Sequence, residues 1–306
     1  MLLKYKLVNK MQNYLKELED ESISIIRDTF IHSSNPLLLY SIGKDSSVLL
    51  HLFMKAFFPI KMPVKLLHID TGWKFKSMIK FRDDTVAKHN LDLSVYKNKE
   101  GEKEGVNPFE NDNYTDIMKT KALKDALNLG KYDFIYGGAR RDEEQSRSKE
   151  KILSHRNEFH VWEPKKQRIE PWNLFNTLKN MNESFRVFPI SNWTEINIWE
   201  YINNQHIEVV PLYFAKKRKV IQRENQYFLL DDDRFQLKKS DEVVVENVRF
   251  RTLGCYPLSA GVKSNADTVS KLIHELKKSS FSERSGRLID HDKEGSMEIK
   301  KKEGYF

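Results

Sequence analysis

Hydrophobic positions along the chain fall into two kinds of pattern. Short apolar runs at Pro36–Tyr40, Val64–Ile69, Leu91–Tyr96, Tyr132–Tyr136 and Phe185–Ile190 read as buried strands. Between them, apolar residues recur at intervals of three and four. Val48, Leu49, Leu52, Phe53, Ala56 and Phe57 form one such stripe, and residues Trp73–His89 and Thr115–Leu129 predict two more helices. Ile196, Trp199 and Ile202 mark a further helix, with Asn192 and Glu195 as its expected cap. The polar stretch 97–109 reads as a surface loop, and Gly137-Gly138 opens a loop into a helix of alternating charge. Strands that alternate with helices require crossover connections. The predicted fold is therefore α/β, an open, mostly parallel sheet with helices on both faces.

The pattern changes near residue 210. Residues 211–235 suggest a hairpin with a charged tip, Thr268–Lys278 predicts a helix, and residues 283–306 keep no sustained period. The expected division is 1–210 and 211–306.

Composition narrows the setting. The 306 residues are 39% hydrophobic and 31% charged, which fits a globular chain and excludes a disordered one. No stretch approaches the roughly 18 apolar residues of a membrane helix, and the lysine-studded N-terminus lacks a secretory signal, so export is not expected. Cys255 is the single cysteine, which excludes an internal disulfide, a four-thiolate zinc site and an iron-sulfur cluster, and favours the cytoplasm. Lys and Arg total 52 against 44 Asp and Glu, a net charge of +8 that favours an anionic partner.

In an open parallel sheet, ligands bind beyond the carboxyl ends of the strands, so the loops after Tyr40, Ile69, Tyr136 and Ile190 are the places to look for chemistry. Ser41-Ile42-Gly43-Lys44-Asp45-Ser46-Ser47 reads as a phosphate cradle. Gly43 permits a positive φ and close backbone approach, the following helix offers its N-terminus, Ser41 and Ser46 supply hydroxyls, and Lys44 supplies charge. It is neither a Walker A loop nor a G-x-G-x-x-G turn. Asp70 ends a buried strand, where a carboxylate is costly unless it serves magnesium or a substrate hydroxyl, or caps the next helix. His68 reads as a satisfied core histidine. Gly137-Gly138 followed by Arg140, Arg141 and Arg147 suggests backbone approach plus a guanidinium clamp for phosphate or sulfate.

The segments LLLYSIGKDSSVLLHL, LLHIDTGWKFKSMIKFRD, YGGARRDEEQSRSKE, FPISNWTEINIWEYI, RFRTLGCYPL and the terminal SERSGRLIDHDKEGSMEIKKKEGYF carry a resemblance. The first loop resembles that of the ATP pyrophosphatase (PP-loop) superfamily, to which phosphoadenylylsulfate reductases also belong. The whole set resembles the small, catalytic subunits of bacterial heterodimeric sulfate adenylyltransferases. That resemblance implies transfer of AMP from ATP to sulfate, giving adenosine 5′-phosphosulfate and pyrophosphate, driven by GTP hydrolysis in a separate large GTPase subunit. It assigns Ser41, Gly43, Lys44, Asp45 and Ser46 to the ATP phosphates, and Asp45 and Asp70 to the accompanying Mg2+ or the nucleotide. Gly138 and Arg147 join the nucleotide site, with Lys44, Arg140 and Arg141 as catalytic residues.

Residues 1–210 would then be the PP-loop domain, with 211–306 closing the site and meeting the partner. Arg284, Arg287, Asp290, His291 and Asp292 are the residues expected to fold over the nucleotide or dock that partner. Two alternatives accompany this reading. A reductase would use Cys255 as sulfur nucleophile, although the Glu-Cys-Gly tail motif is missing; the expectation for Cys255 is a structural or substrate-lining role. An RNA-binding enzyme would use Lys216, Lys217, Arg218, Lys219 and Arg223 with Tyr213, Phe214 and Tyr227, but a solvent- or partner-facing hairpin is the simpler expectation.

Overall fold

The computed structural model of the chain describes residues 2–223 and 226–278. In order, the elements of its first part are α1 (Leu2–Phe30), β1 (Pro36–Leu39), α2 (Lys44–Phe57), β2 (Lys65–Ile69), α3 (Lys76–His89), β3 (Leu93–Tyr96) and α4 (Lys99–Lys103). A π-helical segment (Asp116–Lys121) then runs into α5 (Ala122–Gly130), followed by β4 (Phe134–Tyr136), α6 (Gln145–Ser148), β5 (Leu153–Arg156), β6 (Ser184–Val187) and α7 (Glu195–Gln205). The later part holds β7 (Lys216–Arg223), β8 (Gln226–Leu229), β9 (Glu242–Arg249), β10 (Val262–Lys263) and α8 (Val269–Lys278).

Six strands form one sheet in the order β3-β2-β1-β4-β6-β5. All neighbours are parallel except β5, which runs antiparallel to β6 at the edge. Leu38 of β1 pairs with Leu66 on one side and Tyr136 on the other, so β1 lies where the chain switches direction across the sheet. In such sheets the crevice beyond the strand ends at this switch point is the natural ligand site. The expected fold class is present. A second, antiparallel sheet, β10-β9-β7-β8, shares the core of the first: Val220, Ile221 and Phe250 pack in one buried cluster with Leu38, Phe53 and Trp199. No described helix is long and apolar enough to cross a membrane.

Several local expectations change. The sequence reading assigns nothing to the first 35 residues, yet α1 buries Leu15, Leu18, Ser22, Ile25, Ile26 and Thr29 at helical spacing. Its stripe is diluted by polar residues that find partners inside: Ser22 donates to the Pro189 carbonyl at 2.9 Å and accepts from the Trp193 indole at 3.0 Å. Residues 97–109 contain α4, because the Asn98 side chain accepts from the Glu100 and Gly101 amides. The charge-alternating helix after Gly138 shrinks to the four residues of α6, and the polar, fully buried β5 follows, hidden from a period-two reading by Ser154, His155 and Arg156. The cap of α7 is a reciprocal pair of Thr194 and Asn197, two residues later than expected.

Candidate active site

The loops after β1, β2 and β4 converge on one cavity of about 240 Å³. Ser41, Gly43, Lys44, Asp45 and Ser46 line it from the β1 loop, His68 and Ile69 from β2, and Gly137, Gly138 and Arg147 from the β4 loop. Lys74, Lys119, Tyr213, Cys255 and Ser259 complete the wall.

The β1 loop is built differently from its sequence reading. The positive φ belongs to Ile42, at 69°, while Gly43 has φ −73° and stands as the uncapped residue before α2. A β-branched residue in the left-handed region stores of order 1–3 kcal/mol of strain, held here by complete burial of the Ile42 side chain. At Gly43 an added Cβ would meet only ordinary contacts, 3.5 Å from the Tyr213 hydroxyl and 3.6 Å from Ser41 Oγ. Protein packing therefore does not demand glycine at 43; a missing side chain there keeps the cavity floor open to a ligand. Gly138 is different, since its Cβ would sit 3.2 Å from the Asp45 carbonyl carbon and 3.3 Å from the Ser46 amide nitrogen. Any side chain there would push the β4 loop and the first turn of α2 apart by a few tenths of an ångström.

Hydroxyls fix the loop. Ser46 Oγ donates to the Gly43 carbonyl at 2.9 Å and receives from Ser41 Oγ at 3.2 Å, and the Lys44 amide donates to the Tyr213 hydroxyl at 2.9 Å. Charges fix it further. The buried Lys44 ammonium meets Asp45 Oδ2 at 3.1 Å, and Arg140 Nε meets Asp45 Oδ1 at 2.6 Å. Arg140 reaches Asp142 at 3.7 Å, and Asp142 accepts from the Glu195 amide at the start of α7 at 3.1 Å. The Glu195 carboxylate in turn holds Arg251 at 2.7 Å. Alternating charge thus ties the β1 loop, the β4 loop, α7 and the segment before Cys255 into one frame, and each buried cation has a carboxylate against it.

The three arginines separate. Arg147 is buried, lines the cavity, and contacts Glu144 at 3.2 Å. Arg140 is 1% exposed and lies behind the wall, bound to Asp45. Arg141 turns away: its guanidinium donates to Asn192 at 2.6 Å, on an exposed contact outside the cavity lining. Asp70 also leaves the central cavity. It lines the adjoining groove and accepts from the Gly72 amide at 2.8 Å, so it caps its own turn rather than α3, which begins at Lys76. Among the described residues no cluster of three acidic, His or Cys side chains could hold a metal ion. A magnesium ion carried by nucleotide phosphates would find one β1-loop carboxylate at the cavity wall, Asp45, whose two oxygens already face Lys44 and Arg140.

His68 departs most from expectation. It is 1% exposed, its Nδ1 lies 2.8 Å from the Tyr40 carbonyl, and its Nε2 has no hydrogen-bond partner among the described residues. Burial, with Lys74 and Arg82 nearby, lowers its pKa to about 4. The ring is therefore neutral, donates from Nδ1, and carries an acceptor at Nε2 within a cavity-lining residue. Sequence gave no hint, because one histidine in an apolar strand looks alike whether one or both nitrogens are bonded. Lys74 and Lys119 also escaped the reading: the first sits beyond the Asp70 turn, the second in the π-helical segment.

Cys255 is buried in the cavity wall, its thiol 3.4 Å from Thr71 Oγ1. Burial alone would raise its pKa, but Lys74, Lys119 and the hydroxyls of Thr71 and Tyr114 outweigh it and hold the thiol below its ordinary value. The RNA-binding arrangement does not form: Tyr213 packs in the core against Trp199, and Arg223 is held bidentately by Asp241 at 2.8 and 2.6 Å. Arg284, Arg287, Asp290, His291 and Asp292 lie outside the described residues.

Comparison with known proteins follows the same lines. The phosphoadenosine phosphosulfate reductase domain family matches residues 35–261. The FMN adenylyltransferase of Candida glabrata, solved in complex with ATP, shares the fold at a TM-score of 0.50, with 14% identity over 91% of this chain and 89% of that one. Sulfate adenylyltransferase subunit 2 of Aliivibrio fischeri (strain MJ11) is 53% identical over 97% of this chain and 99% of its own length. Its counterpart in Acinetobacter baumannii (strain AYE) is 55% identical over 96% of this chain and 97% of its own. With the β1 loop, the Gly-Gly turn and the Cys255 segment all inside these near-complete alignments, the chain belongs to the sulfate adenylyltransferase subunit 2 family.

Proposed function

We propose that this cavity is where AMP passes from ATP to sulfate, yielding adenosine 5′-phosphosulfate and pyrophosphate. The enzyme is an ATP:sulfate adenylyltransferase, and the observation that carries the assignment is identity above one half along almost the entire chain to that family. A sulfate oxygen attacks the α-phosphorus, the bond from that phosphorus to the bridging oxygen of the β-phosphate breaks, and pyrophosphate leaves with the electron pair. Both reactants are anions and sulfate is a weak nucleophile, so alignment and charge neutralisation carry the catalysis.

In this reading the Ser41–Ser46 loop and the N-terminus of α2 receive the departing phosphates. Lys44 and Arg147 neutralise their charge, and Gly43 and Gly138 give room for backbone approach. Arg140 acts as a positioning residue that locks Asp45, and through it Lys44. The magnesium of MgATP would meet Asp45, while Asp70 stays at the neighbouring groove. Leu39, Leu67 and Leu123 offer an apolar wall for the adenine, with the buried, neutral ring of His68 packed behind it. Residues 211–306 supply Tyr213 and the Thr252–Ser259 stretch to the opposite wall. The relatives are named subunit 2, which supports a second polypeptide as partner; we assign to it the GTP hydrolysis that drives the reaction.

The test is sulfate-dependent pyrophosphate release from MgATP by the full chain with its partner subunit and GTP, beside a thioredoxin-coupled assay for sulfite. Sulfate-dependent release without sulfite production supports the reading. Sulfite production without adenylylation overturns it and makes Cys255 a nucleophile.

A further inference from the structure

In-line attack requires sulfate and pyrophosphate on opposite sides of the α-phosphate. The strand order supplies two such sides. β4 and β2 flank β1 at about 4.8 Å each, so their loops stand about 10 Å apart with the β1 loop between them. Arg147 and Gly138 belong to the β4 side. Lys74 follows β2, and Lys119 comes from the π-helical segment that follows β3, beyond β2 on the same half of the sheet.

The β2 side has its own chemistry. Both lysines line the cavity together with Cys255, Thr115, Thr252 and Ser259; the carboxylates in that lining, Asp45 and Glu143, come from the β1 and β4 loops, and Asp70 borders Lys74 in the adjoining groove. Both ammonium groups act on the Cys255 thiol, which marks one point of the cavity wall they share with it. That point is rigid: Tyr114 donates to the Thr71 carbonyl at 3.1 Å, and Thr71 Oγ1 contacts Cys255 Sγ at 3.4 Å. The π-helical segment is pinned as well, since Asn98 donates to the Ile117 carbonyl at 3.0 Å. π turns inside helices reorient side chains and recur at functional sites.

We propose that Lys74 and Lys119, which line the cavity together with Cys255, hold the sulfate dianion, while the β1 and β4 loops hold the pyrophosphate. This inference rests on the adenylyltransferase reading, and the experiment separates the two. In the full chain with its partner subunit, Lys74→Gln and Lys119→Gln should each raise KM for sulfate about tenfold and leave KM for MgATP nearly unchanged, and Lys74→Arg should recover most of the loss. In the wild-type protein, sulfate added with a non-cleavable MgATP analogue should slow alkylation of the single cysteine by iodoacetamide, beyond the analogue alone and beyond chloride at equal ionic strength. A rise in KM for MgATP with sulfate KM unchanged overturns the sulfate assignment, as does wild-type enzyme that is active yet shows no sulfate protection of Cys255. Wild-type enzyme that releases no pyrophosphate on addition of sulfate overturns the adenylyltransferase reading instead.

Discussion

The two sides of the cavity present their charges in different company. On the β1 and β4 side, Lys44, Arg140 and Arg147 each lie against a carboxylate, Asp45 or Glu144, and the chain of pairs continues through Asp142 and Glu195 to Arg251. On the β2 side, Lys74 and Lys119 share the lining with hydroxyls and a thiol. The first side is a rigid frame, assembled before any ligand arrives, in which cations are fixed by their own counter-ions. The second sets two ammonium groups among hydroxyls and a thiol, with Asp70 in the groove beside Lys74. A leaving group that gains charge in the transition state needs fixed donors, because donors that must reorganise lose most of their value. A weak nucleophile needs to be gathered and aimed.

The frame is the more sensitive side. Asp45→Ala leaves Lys44 and Arg140 buried without the carboxylate between them, so stability should fall by about 3–5 kcal/mol in a denaturant titration, with adenylylation lost. A stability change under about 1 kcal/mol would mean that the frame is not held by this pair. Lys44→Gln keeps the volume and removes the charge, and should lower kcat by about a hundredfold or more while the protein remains folded. A loss confined to KM for sulfate would move Lys44 to the other side of the comparison.

Between the two sides stands His68. Its folded pKa of about 4 lies below the ordinary 6.5, so between these values the unfolded chain binds a proton that the native state refuses. Stability is therefore fully present above pH 6.5 and declines as pH falls toward 4, by about 3 kcal/mol from this residue. Lys74, Arg82 and Asp70 face the ring, and none reverses the sign set by burial. His68→Asn should flatten the acid limb of a stability–pH profile relative to wild type, and an unchanged slope would show that the ring is already protonated in the fold. Smaller still is the effect of Cys255→Ser. No bond forms at sulfur in adenylyl transfer, so the variant should keep activity of the same order, and a complete loss would revive thiol chemistry.

What the sequence discloses follows a physical line. The five parallel strands of the sheet are legible because they are apolar on both faces, as at Leu37–Leu39 and Phe134–Tyr136, and because their connections carry helical periodicity. The β1 loop is legible because its residue types have few other uses at a strand end. Geometry that depends on distant partners is not. The positive φ falls on Ile42 rather than Gly43 because burial of the isoleucine side chain holds the strain. β5 is invisible because Arg156 is neutralised by Glu150 at 2.5 Å, a pairing no periodicity reports. Lys119 reads as one more lysine on a helix until the π-helical segment turns it toward the cavity.

Adjacent arginines give the mildest test and the sharpest contrast. Arg140 and Arg141 are equivalent in sequence, both two or three residues past the Gly-Gly turn, and both are expected there to clamp an anion. One residue of register separates them onto opposite sides of the loop. Arg140 is 1% exposed and bound to Asp45, whereas Arg141 is half-buried, pairs with the neutral Asn192, and receives its backbone position from the Ser191 carbonyl at 2.9 Å. Removing the Arg141 guanidinium costs one exposed hydrogen bond to a neutral group, about 0.5–1.5 kcal/mol at most, and strips no charge from the cavity lining. Arg141→Ala should therefore leave kcat and both KM values within about twofold of wild type, while Arg140→Ala loses activity and stability together because Asp45 is left holding Lys44 alone. Equal losses in the two variants would mean that the loop inverts when ATP binds, bringing Arg141 inward, and the contrast between a fixed frame and an open sulfate side would then have to be drawn from the ligand-bound enzyme.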